Sequence, residues 1–307
     1  MIRRSPPSLK TLAERTTFVL LVFVADIVSS ASAAFVAPTN WTRGQARSTY
    51  QEWDVFDSPD GSIANVPDIG FFNPNAPAGA GYNVYDTSLF SFLTGGGNIY
   101  SNASILDLYA TVPSAGLGSW FHTTVIVQTR TLNSEIDYPN QTVNGVHSTS
   151  GYEISRVPFT IGFGDGAFIV ERYTKFELNG NDLNYEFHFP TTGFSSSFDE
   201  LLIDTYTTLS GDANGDDKVD IGDIAAIANN WQITGAAGDV NFDGKVDIGD
   251  IALVANNWQH SAANAPPAQP LNLTMAVPEP ATYGLLISGG LMLAASVARR
   301  NRARVCS

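Results

Sequence analysis

One stretch of the chain occurs twice. Gly211 to Trp231 reads GDANGDDKVDIGDIAAIANNW, and Gly238 to Trp258, 27 residues later, reads GDVNFDGKVDIGDIALVANNW. With Asp212 as the first place of a twelve-residue loop, Asn214 is third, Asp216 fifth, Lys218 seventh, Asp220 ninth and Asp223 twelfth. Asp239, Asn241, Asp243, Lys245, Asp247 and Asp250 fill the same places in the second copy. In such a loop the side-chain oxygens at alternate places turn inward around a hard cation. The seventh residue lends its backbone carbonyl, the ninth reaches the ion through water, and the twelfth closes the shell. Lysine at the seventh place is therefore harmless, and the spacing predicts two bound Ca2+ ions held by these twelve residues. Gly244 supplies the sharp turn at the sixth place of the second loop. The first loop has Asp217 there, which must adopt a backbone geometry that favours glycine, so the first site is expected to be the more strained.

After each loop the apolar spacing changes to three and four: Ile221, Ile224, Ala228 and Trp231, then Ile248, Ile251, Ala255 and Trp258. Each copy predicts a loop feeding one short amphipathic helix, too small to bury its own face. The two are expected to pack on each other, with Trp231 and Trp258 supplying most of the apolar area. Nine acids and two lysines lie between Gly211 and Trp258, a net of −7 that two calcium ions would reduce to −3. Folding is expected to be coupled to calcium.

These residues resemble a type I dockerin, the duplicated loop-and-helix module that binds cohesin domains. The resemblance covers every ligand place in both copies. It implies a small α module over residues 210–260 with two EF-hand-type calcium loops, and a cohesin-like or other protein partner. The sequence departs from the family at places ten and eleven, where cohesin-binding dockerins often carry Ser-Thr and this chain has Ile221-Gly222 and Ile248-Gly249. The departure leaves the calcium places intact and puts cohesin recognition in question. The near identity of the copies preserves the pseudo-twofold symmetry that lets such modules dock in either orientation.

Residues 35–209 show no helical period. They predict a mainly β fold, an antiparallel β-sandwich whose look is similar to the jelly-roll sandwiches of lectins and carbohydrate-binding modules. Leu183, Tyr185, Phe187 and Phe189 alternate with Asp182, Asn184, Glu186 and His188, which marks a strand. A second strand is expected over 168–178, with Asn179-Gly180 turning a hairpin between the two. Asp165-Gly166 is expected to turn after a strand over 159–163. Further strands are expected over 105–110, 121–131 and 201–207, and 57–81 reads as loop.

Chemistry is sparse in this head. There is no Gly-x-Ser-x-Gly elbow, no His-Glu-x-x-His pair and no glycine-rich phosphate loop. His122, His147, His188 and His260 are scattered and read as structural or solvated. Glu171, Glu177, Asp182 and Glu186 contain the only suggestion of a glycosidase carboxylate pair, against a default of a solvated face. No catalytic residue is assigned. Trp41, Trp53, Trp120, Tyr50 and Tyr82 are candidates for stacking on a possible polysaccharide, with a place in the core as the alternative.

The ends read as addresses. Arg3, Arg4, Lys10 and Arg15 precede an apolar run from Phe18 to Val28 and the small residues Ala31-Ser32-Ala33-Ala34. This pattern predicts a secretory signal peptide over 1–34, cut by signal peptidase, with an N-terminal anchor as the alternative. At the other end Val277-Pro278-Glu279-Pro280 leads into an apolar stretch from Tyr283 to Ala298, followed by four arginines. A helix there would be about 24 Å long, a short transmembrane segment held by its basic flank. The order of parts over 277–307 resembles the bacterial PEP-CTERM sorting signal, which implies an exosortase and delivery to the cell surface or matrix; a plain membrane anchor is the alternative. A Pro/Ala-rich linker over 261–276 joins it to the module. Between Phe35 and Pro280 stand 8 basic and 28 acidic residues, a net of −20, which excludes a nucleic-acid partner. The single cysteine, Cys306, excludes an internal disulfide. The expected whole is an exported, calcium-binding attachment protein with a sandwich head. The alternative is a polysaccharide-degrading hydrolase or lyase that the module fastens to a scaffold.

Overall fold

A computed structural model describes residues 35–71, 81–88, 90–161, 164–235 and 237–266. All of these fall in one compact unit. The expected signal segment and sorting tail lie outside the described residues, as does most of the expected linker. Among the described residues no helix is long and apolar enough to cross a membrane.

The chain forms β1 (Ser48–Trp53), β2 (Ile69–Phe71), β3 (Asn83–Asp86), β4 (Phe92–Leu93), β5 (Ile99–Ser101), β6 (Asp107–Pro113) and β7 (Gly118–Leu132). These are followed by β8 (Thr142–Val143), β9 (Val146–His147), β10 (Ser150–Ile161), β11 (Gly164–Asn181), β12 (Asn184–Pro190), β13 (Ser196–Leu209), α1 (Ile221–Asn229) and α2 (Ile248–Asn256). The fold is mainly β. The larger sheet runs β10-β11-β7-β13-β1-β2, with β4 and β5 added along β13, and the smaller runs β3-β6-β12-β8-β9. Every pairing between named strands is antiparallel.

Period-two patterning explains the core. Val125, Val127, Phe176, Leu178, Leu201 and Ile203 from the larger sheet meet Leu108, Ala110, Val112, Tyr185, Phe187 and Phe189 from the smaller, all buried in one cluster. Strand β7 is buried on both faces along most of its length. Its outer face is covered by the segment before β1, where Val36 exchanges two hydrogen bonds with the Gln128 amide (2.7 and 2.9 Å). In the same segment Trp41 stacks on Tyr206 at 5.4 Å, and Arg43 grips the fully buried Asp204 through two hydrogen bonds of 2.7 and 2.8 Å.

Two expected turns are corrected. Asn179-Gly180 does not turn a hairpin: β11 and β12 belong to different sheets. Instead Gly180, at φ 95°, sits at a register shift between β11 and β7, and the chain crosses to the other sheet beyond it. Asn-Gly serves a bulge as readily as a turn, because both need a left-handed glycine. The β10–β11 hairpin exists, but its strands meet at Ile161 and Gly164, so Asp165 and Gly166 already lie in the second strand.

A second core begins where the first ends. Phe121 and Leu209 of the head pack with Val219, Ile227, Val240, Val246 and Val254 of the repeat, so head and repeat share one apolar cluster. Only Ser210 and Gly211 separate β13 from the first loop. Trp231 and Trp258 are not in that cluster: each is 42% exposed, and valines and Ile227 fill the space that the tryptophans were expected to occupy. The helix ends carry the tryptophans one turn beyond the buried face, out to the surface.

Candidate metal centre and partner face

Each loop is wound by its own carboxylates. Asp212 accepts N–H groups from Gly215 (2.7 Å), Asp216 (3.1 Å) and Asp217 (2.9 Å). Asn214 Oδ1 accepts from the Asp216 N–H at 2.9 Å, and Asp216 Oδ1 from the Lys218 N–H at 3.0 Å. Asp223 closes the ring: one oxygen accepts from Ala213 and Asn214 (2.8 and 3.1 Å), the other from Asp220 (2.7 Å). Asn241, Asp243 and Asp250 wind the second loop in the same pattern, with Asp250 taking N–H groups from Val240, Asn241 and Asp247, but among the described residues Asp239 accepts only the Gly244 N–H, through Oδ2 at 3.0 Å.

The twelfth residue also starts the helix. Asp220 and Asp247 are N-caps that accept from Gly222 and Gly249, and Asp223 and Asp250 complete capping boxes with them. The repeat closes on itself head to tail. Gly211, at φ 92°, lies so near α2 that a Cβ would stand 3.3 Å from Val254 Cα, and Gly238, at φ 107°, lies as near Ile227 of α1.

Burial pushes the Asp212 and Asp239 carboxyls above their ordinary range, the loop N–H groups hold them back, and Asp223 adds repulsion to the first, Asp250 and Asp243 to the second. Asp239 Oδ1 is buried with no hydrogen-bond partner among the described residues. An orphaned carboxylate oxygen amid mutually repelling carboxylates fits a hard divalent cation. Among the described residues no three His, Cys, Asp or Glu side chains form a metal cluster by themselves; the loops gather oxygens from asparagine and backbone as well. Of the twelve expected residues, Asp212, Asn214, Asp216 and Lys218 and their counterparts Asp239, Asn241, Asp243 and Lys245 lie in the loops, Asp220 and Asp247 cap the helices, and Asp223 and Asp250 stand in the first turns of α1 and α2.

Backbone strain is shared between the copies. Asp217 is left-handed (φ 68°) at the sixth place of the first loop, but Phe242 is left-handed (φ 60°) at the fourth place of the second, where the first has Gly215. The expectation of one strained loop gives way to one strained non-glycine residue in each. The head holds both. Arg47 forms an ion pair with Asp217, and His122, itself bonded to Glu177 at 2.8 Å, stacks on Phe242 at 3.9 Å. Trp120 stacks on His260 at 3.7 Å beside them. Beyond the Gly215/Phe242 difference between the copies, no pattern in the residues marks this seam.

The copies also expose matching residues: Ile221 and Ile248 are each 68% exposed, and Trp231 and Trp258 each 42%. Glycine at place eleven has a local reason, since a Cβ on Gly222 or Gly249 would come within 2.7 Å of the Asn214 or Asn241 amide nitrogen.

The head's candidates scatter. Glu177 is engaged by His122, Thr124 and Lys175, Glu171 by Ser155 at 2.9 Å, and Asp182 by Asn144 at 2.8 Å. Glu186 lies in the other sheet. His188 pairs with Asp107 at 2.7 Å, and His147 lies in β9. Trp41, Trp53 and Tyr50 are buried, Tyr82 packs on the core and Trp120 is committed to His260, so none of the five offers a free stacking face.

Residues 210–259 match the family model of the dockerin type I domain. No curated protein and no solved structure matches the chain.

Proposed function

We propose that the chain is an exported attachment protein whose dockerin-like module carries two calcium ions and docks on a cohesin-like protein partner. The observation that carries this reading is the matched exposure of the two copies: Ile221 with Ile248 and Trp231 with Trp258, equally exposed. The ligands are the side chains of Asp212, Asn214, Asp216, Asp220 and Asp223 with the Lys218 carbonyl, and those of Asp239, Asn241, Asp243, Asp247 and Asp250 with the Lys245 carbonyl. Calcium supplies charge neutralisation and fixes the loops; the chain's own residues fix the helices that present the face. Signal peptidase at the N-terminal segment and an exosortase at residues 277–307 would deliver the protein to the cell surface or the extracellular matrix.

Calorimetric titration of the purified protein tests the metal reading, with two calcium ions per chain expected and saturation at one or none against it. Immobilised cohesin tests the partner. Capture that requires calcium and is lost in an Ile221→Asp, Ile248→Asp double variant supports the docking face. Capture by a chelated chain speaks against it.

A further inference from the structure

Among the described residues of the head, one cation stands without a carboxylate partner. Arg43, Arg47, Arg130, Arg156 and Lys175 each pair with at least one carboxylate, and Lys218 and Lys245 are exposed on the loops. Arg172, half-buried on β11, makes no ion pair or hydrogen bond among the described residues, and its Nε is buried without an acceptor. Its guanidinium carbon stands over the Tyr138 ring, 3.4 Å from the centroid. In a chain with 28 acids between Phe35 and Pro280, an arginine left without a carboxylate is an anomaly. Glu153, directly across from Arg172 in the β10–β11 ladder, is taken elsewhere: it and Glu135 both pair with Arg156, at 2.7 and 2.5 Å.

Arg172 also lines a cleft of about 370 Å³ with Tyr138, Ser148, Thr149, Ser150 and Thr174. No hydrogen bond within the described residues engages the Ser148 or Ser150 hydroxyl. A planar guanidinium fork recognises a carboxylate through two parallel hydrogen bonds. Serine hydroxyls beside it suit a ligand rich in hydroxyls, and the volume lies in the range of small-molecule sites. We infer that this cleft binds the carboxylate of an acidic sugar, a hexuronate unit. The net charge of −20 opposes the approach of a long polyanion, so the occupant is a chain end or a short oligouronate. This site is separate from the dockerin-like module, and neither reading depends on the other.

Titrating the purified, calcium-loaded protein with glucuronate, glucose and inorganic phosphate tests the inference. Glucuronate is expected to bind, with glucose and phosphate each at least about tenfold weaker. Arg172→Gln is expected to abolish glucuronate binding while calcium stoichiometry stays at the wild-type value. Should that variant melt early, Ser150→Ala in the intact fold is expected to weaken glucuronate severalfold. Absence of glucuronate binding, glucose binding as tight as glucuronate, phosphate binding as tight (a site for small anions only), or glucuronate binding unchanged in both variants would each overturn the assignment.

Discussion

At the scale of single residues, the repeat is held by groups that lie outside it. Left-handed backbone costs an L-residue about 1–2 kcal/mol and persists where neighbours over-determine it. Asp217 and Phe242 are those residues, and Arg47 and His122 of the head are their neighbours. Arg47→Ala is expected to weaken calcium binding at the first loop by about two- to fivefold, in keeping with a part-exposed ion pair, and to spare the second. His122→Ala is expected to do the reverse. Site-resolved titration checks both, and equal effects on the two loops would show that the grip is not local. A second residue sets a pH dependence. Burial, then repulsion from Glu52, pushes the Glu200 carboxyl from 4.5 up to about 7, with Arg130 opposing. The folded state then holds a proton that the unfolded chain has released, so this contribution to stability is full below pH 4.5 and is lost as pH rises towards about 7. Glu200→Gln is expected to remove that slope and to melt above the wild type at pH 8, as thermal scans across pH would reveal.

At the scale of elements, the loops and helices were legible because their chemistry is periodic and local. Alternate oxygens fix the loops, three-four spacing fixes α1 and α2, and the alternation around Tyr185, Phe187 and Phe189 fixes β12. What escaped was set by non-local choices. Asn179-Gly180 looks the same whether the chain folds back in one sheet or crosses to the other, and short strands such as β8 and β9 carry too few residues to show a period. The tryptophans that close each copy were misplaced for a related reason: spacing gives the face of a helix but not where the helix stops. Asp220 illustrates an element built from one side chain with two duties, a loop residue and an N-cap. Asp220→Ala is expected to cost the calcium-free helix about 1 kcal/mol and to reduce calcium affinity less than Asp223→Ala, which removes both the closing ligand and the capping box. Circular dichroism melts with and without chelator, paired with titration, separate the two duties.

At the scale of the molecule, head and module are joined by a shared core. The composition and the repeat predicted two parts and a sequence reader would draw a boundary near residue 210, yet Phe121 and Leu209 lie among the module's valines. Apolar residues at the end of a strand carry no mark of which partner will cover them. The purified protein is therefore expected to melt in a single calorimetric transition that chelator lowers as a whole. Phe121→Ala, at a cost of about 3–5 kcal/mol, is expected to split it in two. Two transitions in the wild type, with only the smaller one sensitive to calcium, would refute the coupling. The Arg172 cleft was invisible in sequence, because it depends on which arginine the fold leaves without a carboxylate.

The direct passage from β13 into the first loop has a mechanical consequence. The row Arg172, Thr129, Leu201 lies eight residues along β13 from Leu209, about 27 Å from the module. Tension between a sugar held there and a partner gripping α1 and α2 would run parallel to the strands. It would pull β13 lengthwise against β7 and β1, so that many ladder bonds resist together instead of unzipping one at a time. Such a sheet works as a short, stiff cable, with no slack tether to spool out before the pull is felt.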